Sequence, residues 1–245
     1  MKIKIKQLIK RLPFFENFRY FYLARPKKTY SQCGEDIIID YVFKDLGINK
    51  PTYLDVGTNH PLFLNNTYLF YKKGAQGVCV EPDSWLCKQI RQKRNRDVVL
   101  NMGVGENIGE LDYYIMDVDT LNTFSKIDAE KYVCEGHIIK GVSKVKINSI
   151  NRIIADNFLG HPNLLSIDIE GLDLLVLKSL DFLQYRPEII CAETLTYSRD
   201  GHEKKIQEIF DLLLEKGYFV YADTYINTIF VDKKSYADKN KKINI

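Results

Sequence analysis

The chain has 245 residues, of which 45% are apolar and 27% are charged, and its formal net charge is +3. This length and apolar content suffice for a single domain with a sizeable core. The small positive excess excludes the strongly basic surfaces by which proteins bind nucleic acid, so no nucleic-acid partner is predicted.

The first 25 residues are basic and aromatic, and Lys4, Lys6 and Lys10 interrupt the apolar residues at their start. A signal peptide needs an unbroken apolar stretch of about 7–15 residues and a membrane span needs about 18, so we expect neither. We expect residues 1–30 to form an extension. Residues 1–25 either pack as a helix on the body or a partner, or make peripheral contact with an anionic membrane surface.

The five cysteines form no closely spaced pair. This spacing predicts free thiols and a reducing compartment, so we expect a cytoplasmic protein. Assembly into a homo-oligomer stays open.

Beyond residue 30, short apolar runs alternate with amphipathic stretches. Predicted strands cover Tyr53–Val56, Gly77–Val80, Asp97–Met102, Leu111–Ile115, Leu164–Asp168, Glu188–Ala192, Tyr218–Tyr221 and Thr228–Val231. Predicted helices begin near Ser31 and cover Thr67–Lys73, a basic stretch ending at Arg94, Leu172–Leu180 and Glu203–Lys216. The alternation predicts an α/β domain over residues 31–232, with a mainly parallel sheet and helices on both faces.

Two segments do not fit this alternation. Residues 116–150 are predicted to form an irregular loop that contacts the substrate. The Lys/Asn-rich residues 233–245 are predicted to be a frayed tail. The basic helix over Lys88–Arg96 is expected to present a solvated face.

Ligands of parallel sheets bind beyond the carboxyl ends of the strands. Asp55 and Gly57 follow the first predicted strand, and Glu81 follows the second. A carboxylate about 20 residues after the glycine turn holds a ribose hydroxyl in dinucleotide-binding folds. We therefore expect Asp55 and Glu81 to meet a ligand that carries a ribose.

The stretch YLDVGTNHP (53–61) has one glycine where a pyrophosphate cradle has three. His60 and Pro61 would obstruct such a cradle. S-adenosylmethionine has no phosphate, and its ammonium and sulfonium groups suit nearby carboxylates. The pattern therefore favours this methyl donor over NAD, with the alternative that Asp55 only caps the next helix.

Several stretches together resemble the FkbM family of S-adenosylmethionine-dependent methyltransferases. They are YSQCGEDIIIDYVF (30–43), YLDVGTNHPLFLNNTYLFYKKGAQGVCVEPD (53–83), NMGVGENIGELDYY (101–114), LLSIDIEGLDLLVLKSL (164–180) and RPEIICAET (186–194). The resemblance implies a Rossmann-like class I methyltransferase fold with a seven-stranded sheet, acting mostly on oxygen and often on sugar hydroxyls. It implies a cofactor site formed by Asp55, Gly57, Thr58, Glu81, Pro82, Gly103, Val104 and Asp168.

Methyl transfer to a hydroxyl requires a base or a metal ion, because the hydroxyl is a weak acid. Asp168 and Glu170 follow one predicted strand and Glu193 ends the next. These carboxylates predict a site for Mg²⁺ or Mn²⁺. The alternatives are a metal-free carboxylate base, with Asp168, Glu170 and His60 as catalytic candidates, or a structural role.

The predicted function is O-methylation of a sugar hydroxyl, on a nucleotide-linked sugar or a surface glycan. The alternatives are a phosphate-derived, lipid or peptide acceptor, and a non-catalytic module that binds the cofactor.

Overall fold

The computed structural model describes residues 26–169, 171–196 and 203–242, so the expected contacts of residues 1–25 lie outside the described part. Within these ranges the strands are β1 (Tyr53–Val56), β2 (Gly77–Val80), β3 (Val98–Leu100), β4 (Gly103–Val104), β5 (Gly109–Met116), β6 (Ile139–Asn148), β7 (Leu164–Ile167), β8 (Ile189–Glu193), β9 (Tyr218–Asp223) and β10 (Asn227–Asp232). The helices are α1 (Glu35–Asp45), α2 (Tyr68–Lys72), α3 (Ser84–Lys93), α4 (Lys126–Cys134), α5 (Ile150–Asn157), α6 (Asp173–Ser179), α7 (Gln207–Glu215) and α8 (Lys233–Lys242). None of these helices combines the length and apolar character that crossing a bilayer requires.

A seven-stranded sheet has the order β3-β2-β1-β7-β8-β10-β9. Neighbouring strands from β3 to β8 are parallel, whereas β10 runs antiparallel to both β8 and β9. From β1 the chain adds β2 and β3 toward one edge of the sheet, and it then places β7 and β8 on the other side of β1. Doubly wound sheets bind ligands at such a switch point between neighbouring strands. The arrangement confirms the predicted Rossmann-like class I methyltransferase fold.

Helices cover both faces of this sheet, which is why its central strands consist of continuous apolar runs. Leu54 and Val56 pack on one face with side chains of α5, α6 and α7. Tyr53 points to the opposite face, where α1 and α2 pack. Each fully buried aliphatic side chain contributes about 1.5–3 kcal/mol, so the carboxyl ends of β1, β2 and β7 rest on a well-anchored frame.

The prediction of an irregular loop over residues 116–150 is wrong. Asp119–Leu121 form a 3-10 turn, and α4 and β6 follow it. Strand β6 pairs with β4 and β5 to form a second, three-stranded sheet. The missed signal is the alternation within Ile139–Asn148, where Val145 and Ile147 are buried and Lys144 and Lys146 are exposed.

The prediction of a frayed tail is also wrong over most of its length, because α8 occupies Lys233–Lys242. The Asp232 carboxylate accepts hydrogen bonds from the Ser235 N–H and hydroxyl at 2.8 Å each, which caps the first turn. Tyr236 packs against Phe219 at a ring distance of 5.3 Å. A single aromatic anchor thus holds a helix that is otherwise rich in lysine.

Two predicted helices begin about one turn later than expected, at Glu35 and Gln207. At the first, Gly34 has a φ of 92°, so the residues before Glu35 do not continue the helix.

Candidate active site

A cavity of about 630 Å³ opens at the carboxyl ends of β1, β2, β7 and β8. Its volume is within the roughly 300–1,000 Å³ typical of small-molecule sites. The predicted site residues that line it are Gly57, Thr58, His60, Glu81, Pro82, Gly103, Val104, Asp168 and Glu193. The structure therefore brings most of the predicted site together beside the switch point of the sheet.

The single glycine of the D-V-G-T-N stretch lies where two strand-end loops touch. Gly57 has a φ of +80°, and a Cβ atom there would come within 1.9 Å of the Asp168 carbonyl oxygen. Gly57 N–H donates to the Val80 carbonyl, and Asp168 N–H donates to the Val56 carbonyl, so the approach is fixed by backbone hydrogen bonds. Only a residue without a side chain fits this junction. The glycine is therefore explained by the packing of the loops after β1 and β7, without a bound phosphate.

Glu81 follows β2 directly and is almost fully buried at the cavity wall. Its Oε2 accepts a hydrogen bond from Asn59 N–H and its Oε1 accepts one from Asp83 N–H, both at 2.8 Å. Burial raises the pKa of Glu81 to about 7, although both hydrogen bonds lower it. Each carboxylate oxygen has about two lone-pair sites, so each keeps one for a ligand. Two fixed, adjacent acceptors match the paired hydroxyls of a ribose.

Asp55 lies beneath the cavity and is not part of its lining. Its Oδ2 accepts hydrogen bonds from Thr67 Oγ1 at 2.6 Å and from Asn65 Nδ2 at 3.3 Å. Burial raises the pKa of Asp55, and the nearby Arg94 guanidinium partly offsets this rise. We therefore revise the expected direct contact between Asp55 and the cofactor: its carboxylate holds the loop over residues 57–67 in place.

Arg94 lies at the centre of this buried network, and its assignment to a solvated face is wrong. Its side chain is 0% exposed. Nε donates to Asp97 at 2.8 Å and Nη1 donates to Asn65 at 3.1 Å, while the Asp55 carboxylate lies 3.5 Å away. One cation thus balances two buried carboxylates. The sequence gives little indication of this role, because charged helices are usually solvated.

Two carboxyl groups meet at the ends of the neighbouring strands β7 and β8. The parallel register pairs Ile167 with Ala192, which places Asp168 beside Glu193. Burial, together with repulsion from Asp55, raises the pKa of Asp168 to about 6, and a side-chain hydrogen bond with Glu193 partly opposes this. A hydrogen bond between two carboxyl groups requires that one of them carries a proton. The pair can therefore hold and exchange a proton at a pH near the value of about 6 at which Asp168 titrates.

A further carboxyl group, Asp173, was not among the predicted site residues. It accepts hydrogen bonds from Ile169 N–H at 3.2 Å and from Gly171 N–H at 3.3 Å. Burial, together with repulsion from Asp168, raises the pKa of Asp173 to about 7. Its hydrogen bonds fix the turn after Asp168, so Asp173 positions the proton-sharing pair.

The predicted metal site receives no support from the described residues. Among residues 26–169, 171–196 and 203–242, no group of three His, Cys, Asp or Glu side chains is arranged to hold a metal ion. Asp168 and Glu193 lie together, whereas the third predicted ligand, Glu170, lies outside the described residues. Mg²⁺ and Mn²⁺ need several oxygen ligands, and a proton-sharing pair of carboxyls supplies few of them.

His60 lines the cavity, but its ring is used to hold a turn. Nδ1 accepts hydrogen bonds from Leu62 N–H at 3.1 Å and from Phe63 N–H at 3.0 Å. In a neutral ring with Nδ1 as acceptor, the proton is on Nε2. Neither nitrogen is then free to accept a proton from a substrate. The geometry does not favour His60 as the catalytic base.

The opposite wall of the cavity comes from β4, β5 and the segment around the 3-10 turn. Of these, only the segment from residue 116 onward was predicted to be an irregular loop. A Cβ atom at Gly103 would come within 2.6 Å of the Phe124 ring, so these two residues are in contact. The Phe124 and Tyr113 ring centroids lie 4.8 Å apart. Together they provide an apolar surface beside the end of β3.

The geometry is that of a small-molecule enzyme with carboxylates at the strand ends. A family model described as the methyltransferase FkbM domain matches residues 55–220. The match spans more than half of the chain, and the chain belongs to this family of S-adenosylmethionine-dependent methyltransferases. No curated protein matches the chain.

Solved structures with related shapes include the FkbM methyltransferase of Methylobacillus flagellatus KT, at 14% identity and a TM-score of 0.45. That similarity covers 75% of this chain, and this chain spans only 44% of that protein. A TehB-like methyltransferase from Corynebacterium glutamicum has 9% identity and a TM-score of 0.43, covering 90% of this chain and 96% of that one. An O-methyltransferase from Bacillus cereus has 11% identity and a TM-score of 0.42, covering 84% of each chain. These similarities are too low to support an inference about substrate.

Proposed function

We propose that the chain transfers a methyl group from S-adenosylmethionine to a hydroxyl of a sugar, either nucleotide-linked or part of a surface glycan. The supporting observation is that the Asp168–Glu193 pair lines the same 630 Å³ cavity as the two fixed acceptors of Glu81. A ribose-binding carboxylate and a proton-accepting pair are thus within reach of one small molecule. The cofactor, when bound, supplies an already activated methyl group.

On this proposal Glu81 holds the cofactor ribose, because the N–H groups of Asn59 and Asp83 fix both of its carboxylate oxygens in place. The close packing at Gly57 brings the loops after β1 and β7 together, which lets their backbones line the cavity at short range. The anionic strand ends favour a cationic ligand that carries no phosphate. The lining of the cavity also includes Thr58, Pro82, Gly103 and Val104.

The residue proposed as base is Asp168, which accepts the proton of the acceptor hydroxyl while Glu193 shares it. With a pKa of about 6, Asp168 is mostly ionised near neutral pH and still basic enough to accept a proton. Its position is fixed through the backbone turn that Asp173 holds. Proton transfer to a positioned side chain contributes about 10²–10⁴-fold in rate.

The proposed sugar acceptor fits the lining of the same cavity. Polar side chains that can bond hydroxyls line it, namely Gln32, Thr120, Thr196 and Glu203. Phe63, which is 65% exposed, lies at the same cavity and provides a flat apolar surface for a sugar ring. Sugars combine hydroxyl groups with apolar ring faces, so both features are useful.

We further propose that the reaction needs no divalent ion, because Asp168 can accept the proton of the acceptor hydroxyl directly. We also propose that the enzyme works in the cytoplasm, where its five free cysteines remain reduced.

The test is a screen of nucleotide-sugars and glycans, with S-adenosylmethionine, for a cofactor-dependent mass gain of one methyl group. Asp168→Asn should lower turnover by at least about 10²-fold and still bind S-adenosylhomocysteine. Asp156→Asn is the matched control, because Asp156 is an exposed partner of Arg152 on α5. Near-normal turnover in Asp168→Asn would show that the base lies elsewhere. Cofactor binding without methylation of any sugar in the screen would contradict the proposed acceptor class.

A further inference from the structure

We infer that the mouth of the active-site cavity docks on an anionic lipid bilayer. The docking surface combines an apolar rim, formed by Phe63, Leu64 and Val118, with lysines beside it. Docking is independent of the chemistry inside the cavity, so it goes beyond the proposed reaction. Of the two proposed acceptors, a cavity that opens onto a bilayer favours a glycan attached to a membrane lipid, and this consequence alone rests on the proposed function.

The apolar rim exposes three large apolar side chains at one cavity. Phe63 is 65% exposed, Leu64 is 47% exposed and Val118 is 41% exposed, and all three line the cavity. Single exposed apolar residues are common on protein surfaces, whereas several at the mouth of one cavity mark a binding surface. A sugar ring can cover one such side chain, but hydroxyl groups occupy most of its outline, so the others stay in water. The rim therefore indicates a larger apolar partner.

The exposure of Phe63 and Leu64 comes from a loop that is held in one conformation. Leu64 has a φ of 51°, a region that contacts of the Cβ atom make unfavourable for any residue but glycine. The His60 ring accepts a hydrogen bond from Phe63 N–H at 3.0 Å, and Asn65 N–H donates to the Tyr30 carbonyl at 2.9 Å. These hydrogen bonds offset the strain at Leu64, so a partner meets a preformed apolar surface.

Two exposed lysines lie beside this loop. The Lys72 ammonium donates to the Tyr30 hydroxyl at 2.8 Å, and the Lys28 ammonium is 5.1 Å from the centroid of the Tyr30 ring. Because the Tyr30 backbone is hydrogen-bonded to the residue after Leu64, both ammonium groups are near the apolar rim. Within the described part of the chain, neither lysine pairs with a carboxylate. Both charges are therefore available to an anionic partner.

The distribution of charge along the sequence favours the same partner. Residues 1–25 contain seven Lys and Arg residues and one Glu, so their net charge is +6, and the other residues carry −3, which together give +3. The described chain begins at Pro26, two residues before Lys28, so the most basic part of the sequence is attached beside the rim. Cationic groups at this place are attracted by anionic headgroups, whereas the negative excess on the rest of the chain is repelled. A bilayer therefore meets the cavity mouth in preference to other faces.

A bilayer also matches the mixture of contacts. Peripheral proteins bind membranes by inserting apolar side chains below the headgroups while lysines and arginines meet the lipid phosphates. The apolar rim supplies the first contact, and Lys28 and Lys72 supply the second.

The test is the co-sedimentation of the full chain with vesicles of phosphatidylcholine mixed with phosphatidylglycerol, and with vesicles of phosphatidylcholine alone. We expect binding at least about tenfold tighter to the anionic vesicles. The double variant Phe63→Gln, Leu64→Asn should bind them at least about tenfold more weakly than the unmodified chain. Asparagine suits position 64 because it tolerates a left-handed φ, and thermal unfolding checks that the variant is folded.

The matched control for the apolar rim is the double variant Leu159→Asn, Leu183→Asn. Both leucines are fully exposed, and they precede β7 and β8 at the opposite end of the sheet. We expect this control to bind anionic vesicles within about twofold of the unmodified chain.

The lysines are tested in the same way. Lys28→Gln with Lys72→Gln should weaken binding to anionic vesicles at least about fivefold. Lys50→Gln with Lys178→Gln is the control, since these exposed lysines precede β1 and end α6, away from the cavity. It should leave binding unchanged.

A tryptophan at position 63 measures contact with the acyl chains directly. Trp85 is the one tryptophan of the sequence, so Phe63→Trp is made together with Trp85→Phe. We expect its fluorescence to be quenched by vesicles with brominated acyl chains, whereas Leu183→Trp in the same background should not be quenched.

Three results would each overturn the inference: no preference for anionic vesicles, unchanged binding of the Phe63→Gln, Leu64→Asn variant, or equal quenching at positions 63 and 183. Unchanged binding of that variant includes the case in which residues 1–25 alone hold the chain to the vesicle. None of these measurements depends on S-adenosylhomocysteine or on methyl transfer, so failure of the docking surface and failure of the proposed function are distinguishable.

Discussion

Replacing Arg94 with methionine tests the buried network beneath the active site. The change removes the cation that lies between Asp55 and Asp97, whose side chains are 6% and 0% exposed. Removing one partner of a buried ion pair typically costs about 3–5 kcal/mol, because the remaining charge is left uncompensated. In a domain of this size each kcal/mol lowers Tm by about 2–4 °C, so we expect a fall of about 6–20 °C at pH 8.

The loss should depend on pH in a defined direction. Without the guanidinium, the folded-state pKa of Asp55 rises further, so this carboxyl is more easily neutralised as pH falls. The destabilisation by Arg94→Met should therefore be largest at pH 8 and smaller at pH 5. Calorimetric unfolding at both pH values measures this difference.

Arg91→Met is the control for Arg94→Met, since Arg91 is an exposed residue in the last turn of α3, which ends directly before Arg94, and donates to the Val99 carbonyl. We expect it to change stability by about 0.5 kcal/mol or less. If Arg94→Met unfolds at the same temperature as Arg91→Met, or if its loss is independent of pH, the role given to the network is refuted.

Three further predictions concern the cavity. Gly57→Ala should destabilise the fold by about 2–4 kcal/mol in denaturant titrations, because it adds a clash to an unfavourable φ. Its control is Gly74→Ala, at a φ of +89° with open space around it, which should cost about 1 kcal/mol. Equal losses would contradict the junction described for Gly57. Affinity for S-adenosylhomocysteine should increase about tenfold from pH 6 to pH 8, because the ribose hydroxyls bind the ionised form of Glu81, whose pKa is about 7; a flat calorimetric profile would count against ribose binding there. The rate of methyl transfer at saturating substrate should rise with pH through about 6, where Asp168 ionises. The same rate should be unaffected by a chelator. Activity that is lost to the chelator and restored by Mn²⁺ would support the metal hypothesis instead.

The central strands could be predicted from the sequence, because strands buried on both faces form continuous apolar runs such as Gly77–Val80. The meeting of Asp168 and Glu193 could also be predicted, since consecutive parallel strands end at the same edge of a sheet. The position of Glu81 at the ligand cavity could be predicted as well, from its spacing to the glycine turn at Gly57. In each case a local pattern and one topological rule are sufficient.

Other parts of the site depend on contacts between distant residues, which a single sequence does not reveal. The buried position of Arg94 requires Asp55 of β1, with Asn65 and Thr67 of the following loop, to converge on it from 27 to 39 residues earlier in the chain. Helical periodicity and charge do not describe this environment, so the sequence alone placed Arg94 on the surface.

The most direct test of the account is a crystal structure of the chain with S-adenosylhomocysteine bound. We expect both Glu81 carboxylate oxygens to accept hydrogen bonds from the ribose hydroxyls, with the ligand sulfur on the side of the Asp168–Glu193 pair. A ligand bound outside this cavity, or a ribose that makes no contact with Glu81, would contradict the central claim.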